Sequence, residues 1–296
     1  MLCLKLYTLQ TIISMKALSL ILLLFVSSLV AAQSPWIPKQ NEGYLQLGLT
    51  NISSYQSIYV GGTGDYRLNR EVSDITLQLY GEYGIANKLG LMVSVPFKML
   101  ATGDLVAGPT NPALTNQQGD FTTPGNISLA LKRNFIDGGF LLSGQLEAEL
   151  PTGSLDVLTG LRSGVDALTL RPTLTLGKGS SKWYGYCAVG SSIRSNYYSS
   201  DIKIAAEAGM KQFDRLWVVL VLDVVHSFEN GSATGEQPIQ QAAGLYLNNQ
   251  EYFAFGLKGI FEVNEKLGIN GAMYGAASGN LVAKAPSINF GVYYKW

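Results

Sequence analysis

The chain has 296 residues and balances 21 Lys and Arg against 21 Asp and Glu, for a formal net charge of zero. Charged residues are 14% of it, well below the roughly 25% of a typical soluble domain. This composition excludes the basic face that a nucleic-acid partner needs, and two cysteines, Cys3 and Cys187, exclude a disulfide-dense scaffold.

Residues 18–30 are apolar but too short for a comfortable bilayer span. Lys16 precedes them, and Val30-Ala31-Ala32 has the small residues of a leader cleavage site. The pattern predicts a signal peptide over 1–32, cut after Ala32, with Met1 or Met15 as the start. An uncleaved anchor is the alternative. Cleavage removes Cys3, Lys5 and Lys16, so Cys187 stands alone and the exported chain is slightly acidic. Residues 33–42 are then a short periplasmic lead-in to a body over 43–296, which has no apolar run long enough for a membrane helix.

Period-two alternation runs through the body. Ile75, Leu77, Leu79 and Tyr83 interleave with Thr76, Gln78, Tyr80 and Glu82, and Leu142, Leu146, Ala148 and Leu150 with Ser143, Gln145, Glu147 and Glu149. Strands of about ten residues suit a tilted membrane crossing. Twelve are expected, beginning near Gly43, Val72, Leu89, Gly125, Phe140, Asp166, Trp183, Asp201, Leu216, Glu251, Leu267 and Ala285. Short turns at 86–88, 136–139, 177–182, 213–215 and 264–266 alternate with long loops at 53–71, 101–123, 152–165, 191–200, 227–250 and 277–284. Tyr83, Phe135, Phe140, Phe261, Tyr294 and Trp296 gather on the apolar face at the short-turn end, as half of an interfacial girdle. The expected fold is all-β, a transmembrane antiparallel up-and-down β-barrel in the bacterial outer membrane, bathed in outer-membrane lipid.

The chain ends NFGVYYKW. Asn289, Gly291, Tyr294 and Trp296 resemble the C-terminal signal read by the β-barrel assembly machinery, which makes that machinery an expected partner. The polar parity turns Glu82, Glu147, Glu149, Glu207, Asp223 and Glu262 inward, with Lys98, Lys132, Arg171, Lys203, Lys211, Lys258 and Lys295. These line a lumen either as a lattice of salt bridges filling a narrow barrel or as a polar pathway. The signs are too evenly mixed for a charge-selective pore.

The loop 102–121 is rich in Gly, Pro and Asn but carries Leu105, Val106, Leu114 and Phe121. It is either an external loop or a constriction folded inward. Pro96 and Pro172 fall inside strands, where each removes a ladder donor. They mark bulges or strand ends, or else a sideways opening for an apolar solute. His226, the only histidine, stands beside Ser227 and near Glu229. Adjacent residues on a strand face opposite ways, which argues against a His–Ser pair and leaves a lipid hydrolase as the remote alternative. No metal-spaced cluster, Walker loop or dinucleotide fingerprint is present, so no metal or cofactor is expected.

Gly119-Asp120 entering a strand, Lys132 near its end and Pro151-Thr152-Gly153 after the next strand resemble the outer-membrane family associated with meta-pathway phenol degradation. That family is loosely similar to long-chain fatty-acid and aromatic-hydrocarbon transporters. The match covers 119–154 and implies uptake of small apolar or aromatic solutes. Fatty-acid transporters plug their barrel with an N-terminal hatch. Residues 33–42 are too few for one, so any plug is expected from a loop. The other reading is a structural or surface-binding barrel without transport.

Overall fold

The computed structural model describes residues 33–104, 117–233 and 243–296. They form β1 (Gly43–Val60), β2 (Gly64–Ala86), β3 (Leu89–Thr102), β4 (Gly119–Pro124), β5 (Ile127–Asp137), β6 (Leu141–Leu150) and β7 (Thr169–Gly179). β8 (Trp183–Arg194), β9 (Asp201–Phe213), β10 (Leu216–Ser227), β11 (Glu251–Glu262), β12 (Leu267–Asn280), β13 (Val282–Ala283) and β14 (Ser287–Lys295) follow.

Both β4 and β5 pair with β3, on either side of a break at Gly125 and Asn126, and are two halves of one wall strand. β13 and β14 are likewise two halves of the strand beside β1. The wall therefore has twelve antiparallel strands, each bonded to its neighbours in the chain. It closes where β1 pairs with β14, from Tyr44 against Lys295 to Ile52 against Ser287. The Gly43 N–H donates to the Trp296 carbonyl and the Trp296 N–H to the Gly43 carbonyl, both at 3.1 Å, so the seam runs to the last residue.

The two faces are inverted relative to a water-soluble barrel. Leu47, Leu131, Leu146, Leu174 and Leu220 point outward, each more than half exposed. Gln46, Thr76, Gln145, Thr173, Asn270 and Asn289 are buried inside. An apolar band around a polar interior is stable against lipid rather than water. Tyr83, Phe135, Phe140, Phe261, Tyr294 and Trp296 all lie exposed at the short-turn end, with Tyr294 and Trp296 stacked at 6.2 Å. Of the four expected assembly residues, Tyr294 and Trp296 face out, whereas Asn289 is fully buried and bonded to Thr50 across the seam. A Cβ at Gly291 would lie 2.5 Å from Asn270 Oδ1.

Several expected boundaries move. Residues 53–71 are not a long loop: β1 and β2 continue into a hairpin tipped by Gly61 (φ 59°) and Gly62 (φ 98°). Bulges after Ile52 and Tyr55 shift the pairing, which breaks the period-two signal there. The wall strand expected at Gly125 already starts at Gly119. Residues 277–284 are a tight reversal at Leu281 (φ 56°) rather than a loop. Pro96 sits opposite the Gly125–Asn126 break and keeps its pairing with Gln78. Pro172 keeps its pairing with Leu146, but the β7–β8 ladder skips from Leu170–Ile193 to Thr173–Gly190.

A Leu220→Arg variant is expected to lose about 2–4 kcal/mol of stability in lipid vesicles, read by urea unfolding. On a water-facing leucine the same change would be nearly neutral.

Candidate functional site in the barrel interior

The interior has three levels. At the long-loop end, Tyr55, Ile58, Leu68, Val72 and Leu100 of the wall pack around Leu161 and Ala243 from two loops, 151–168 and 243–250. Tyr55 Oη donates to the Ala243 carbonyl at 2.8 Å. Arg70, almost fully buried, donates to the carbonyls of Thr159 and, at 3.3 Å, Gln117. The turn carrying Leu161 is tied by Asp156, which accepts from the Thr159 hydroxyl and from the N–H groups of Leu158 and Thr159. Those bonds hold the Asp156 carboxyl below its usual range, led by the Thr159 hydroxyl. Residues 105–116 of the expected constriction lie outside the described residues. The described part contributes Phe121 to the apolar cluster, and the constriction that can be seen is built from the other two loops.

The middle level is a lattice of ion pairs. Lys98 meets Asp74 at 2.7 Å, and Lys132 meets Glu82 at 3.4 Å. Arg171 meets Glu147 at 2.6 Å and Glu149 at 3.4 Å, and Lys203 meets Asp223 at 3.1 Å. Lys211 meets Glu262 at 2.7 Å, and Lys258 meets Glu207 at 2.8 Å. Glu207 also accepts from the hydroxyls of Tyr184 (2.5 Å) and Tyr186 (3.3 Å). Lys295 differs: it lies exposed at the short-turn mouth, 5.0 Å from the Tyr293 ring. Asp74, and the Arg194–Asp201 pair at 2.5 Å, belong to the same lattice. They sit in or beside the expected loops 53–71 and 191–200.

The short-turn end holds a cavity of about 700 Å³. Trp36, Tyr184 and Trp217 form one wall: the Trp36 and Tyr184 rings meet edge-on at 5.6 Å, and the Tyr184 and Trp217 rings lie 5.4 Å apart. Tyr44 and Tyr293, stacked at 5.4 Å, form another. Trp217 Nε1 donates to Glu262 at 3.2 Å, so its polar edge is satisfied.

Trp36 arrives from the N-terminal segment, which crosses the barrel. Gln40 bridges to Gly84 of β2, and a Cβ at Gly90 of β3 would meet Ile37 at 2.8 Å. Further round the wall, Pro35 is fully buried and its carbonyl accepts from Ser143 Oγ of β6 at 2.7 Å, and Trp36 reaches Tyr184 and Tyr186 of β8. The expectation that any plug comes from a loop is therefore corrected, because part of the N-terminal segment itself lies inside the barrel. An extended chain spans roughly 3.3–3.6 Å per residue, so a few residues suffice to cross so narrow an interior.

No protein-family model matches the chain, and no curated protein matches its sequence. The likeness of 119–154 to the phenol-degradation family thus has no family match behind it. Among solved structures, the COG4313 outer membrane channel from Pseudomonas putida F1 is similar at a TM-score of 0.65 and 12% identity, over 91% of this chain and 100% of that one. The fold is that of an outer-membrane β-barrel. The KdgM porin in complex with disordered oligogalacturonate aligns more loosely, at a TM-score of 0.47 and 7% identity over 84% of this chain and 98% of that one.

At the rim of this barrel, His226 Nδ1 lies 2.6 Å from Glu251 Oε1, with the imidazole mostly exposed. The Ser227 hydroxyl turns instead to Asn249 Oδ1 (3.4 Å) and accepts from the Glu229 N–H (3.1 Å). The geometry does not join the histidine to the serine as base and nucleophile.

A Lys258→Ala variant would leave the Glu207 carboxylate buried without its cation and is expected to cost about 3–5 kcal/mol. The paired change Lys258→Met with Glu207→Gln is expected to recover most of that loss, again by urea unfolding in vesicles. Because the Asp156 carboxyl is held below its normal range when folded, its contribution to the turn is present above about pH 3.9 and lost as pH falls through its folded value. Amide-exchange protection factors at Leu161 should fall over that range, and Asp156→Ala should show the low value at neutral pH.

Proposed function

We propose that the chain is a bacterial outer-membrane channel that lets small apolar or aromatic solutes pass down their gradient. The observation that carries this is the ring-lined cavity of about 700 Å³ held inside a closed, lipid-facing wall. Its size is that of a small-molecule site, and its lining joins the rings to the charged side chains of Glu82, Glu207, Lys258 and Glu262. The aromatic walls favour flat, weakly polar solutes. The ion pairs around it are internally neutralised, so no single sign of charge recruits ions. The resemblance of 119–154 to the phenol-degradation family supports the same reading, and the name of the Pseudomonas putida protein, an outer membrane channel, supports passage through the barrel but names no solute. In this orientation the short turns and the cavity face the periplasm, and the loop cluster faces outward.

A filled barrel without transport is the second reading, favoured by the packing of Leu161 and Ala243 across the outer mouth.

Two measurements separate them. In planar bilayers the wild type is expected to conduct weakly, and a variant with 153–164 replaced by a short Gly-Ser linker to conduct steadily. Small aromatic solutes such as phenol or toluene should quench the fluorescence of Trp36 and Trp217. Trp36→Ala should weaken that binding by about tenfold, or ~1.4 kcal/mol. Silence in both proteins together with no quenching would leave the filled barrel standing.

A further inference from the structure

A second, polar cavity of about 240 Å³ lies at mid-barrel. Gln33 lines it together with Glu147, Glu149, Arg171 and Lys203. Its charges do not balance locally. Arg171 serves both Glu147 and Glu149, and Lys203 is committed to Asp223. Among the described residues, these three carboxylates share two cations. The remaining contacts are neutral: Asn126 Nδ2 donates to Glu149 at 2.9 Å, Gln145 Nε2 to Glu147 at 3.2 Å and the Tyr252 hydroxyl to Asp223 at 3.4 Å. A surplus carboxylate in so enclosed a place is costly unless a cation meets it.

The residue that enters this cavity is the one that follows the expected cut after Ala32. It is held there, because Pro35, two residues on, is fully buried and bonded to Ser143. Trp36 is wedged against Tyr184 and Tyr186. In the uncut chain the Gln33 nitrogen is an uncharged amide. Hydrolysis adds water across the Ala32–Gln33 peptide bond. The carbonyl carbon keeps the oxygen as the Ala32 carboxylate, and the nitrogen leaves as the α-amine of Gln33. Near neutral pH that amine is mostly an ammonium.

We propose that removal of the leader places the new α-ammonium of Gln33 inside the barrel, where it serves as the missing cation of the Glu147–Arg171–Glu149 cluster. The barrel is thereby completed by a processing event. Cleavage supplies both the charge that docks the N-terminal segment and the free end that can sit in the interior. The aromatic cavity inherits its Trp36 wall from that docking. This holds whatever solute the cavity takes, and whether or not the barrel conducts.

The test is amine labelling of the full-length protein extracted from outer membranes, read by N-terminal sequencing and mass spectrometry. The chain should begin at Gln33 with a free amine. In the folded protein that amine should react at least about tenfold more slowly than in the unfolded protein, while Lys39, which is exposed, reacts alike in both states. Glu149→Gln removes the surplus carboxylate and keeps the Arg171–Glu147 pair, and should cost the α-amine about tenfold in protection. A Gly-Ser insertion between Ala32 and Gln33 displaces the ammonium without touching the barrel and should abolish protection. The proposal is overturned by a start at another residue, or by a Gln33 cyclised with loss of ammonia. It is equally overturned by full labelling in the folded state, or by unchanged protection in either variant.

Discussion

Inside a bilayer the N–H and C=O groups of a strand edge have no water to turn to, and the seam between β1 and β14 is where this chain meets that demand. The rest follows from closing it. Gly48 faces Gly291 across the seam, and Thr50 bonds Asn289, so the joint is narrow and polar on its inner side. Trp296 packs over Gly43 at one end. At the other, β13 takes over the pairing with Ile58 and Tyr59 beyond the β1 bulges. A wall closed in this way has no free edge, and many of its inward side chains are buried.

That seclusion explains the ion pairs. A charge turned inward must find a counter-charge within reach, and several reach beyond the adjacent strand. Lys258 of β11 meets Glu207 of β9 across β10, whose inward side chains there are Val219 and Val221. Lys132 of β5 meets Glu82 of β2 across β3. Such pairs brace the wall sideways, and Glu82, Glu207, Lys258 and Glu262 stand among the rings that line the short-turn end.

The parts of this architecture that rest on local pattern were readable in the sequence. Period two, the length of the strands and the alternation of short and long connections all survive in a single chain read from end to end. What was unreadable depends on distant partners. The 53–71 hairpin was hidden because bulges after Ile52 and Tyr55 break the alternation. Alternation assigns Lys258 and Glu207 to a face but carries no sign that they meet across an intervening strand. Trp36 lies in a stretch without periodicity, and its partners Tyr184 and Tyr186 are far along the chain. The aromatics at both parities of β8, Trp183 beside Tyr184, were the one local hint that rings face inward there.

The course of the N-terminal segment bears on the order of assembly. It is made first, yet the surfaces that receive it are the Ser143 side of β6, Gly177 of β7 and the tyrosines of β8. Contacts so distant in the chain form late, because the loops between them must first be closed. The segment therefore has no complete seat until β6, β7 and β8 stand together. The oldest part of the chain is among the last to settle, and its arrival marks a finished barrel.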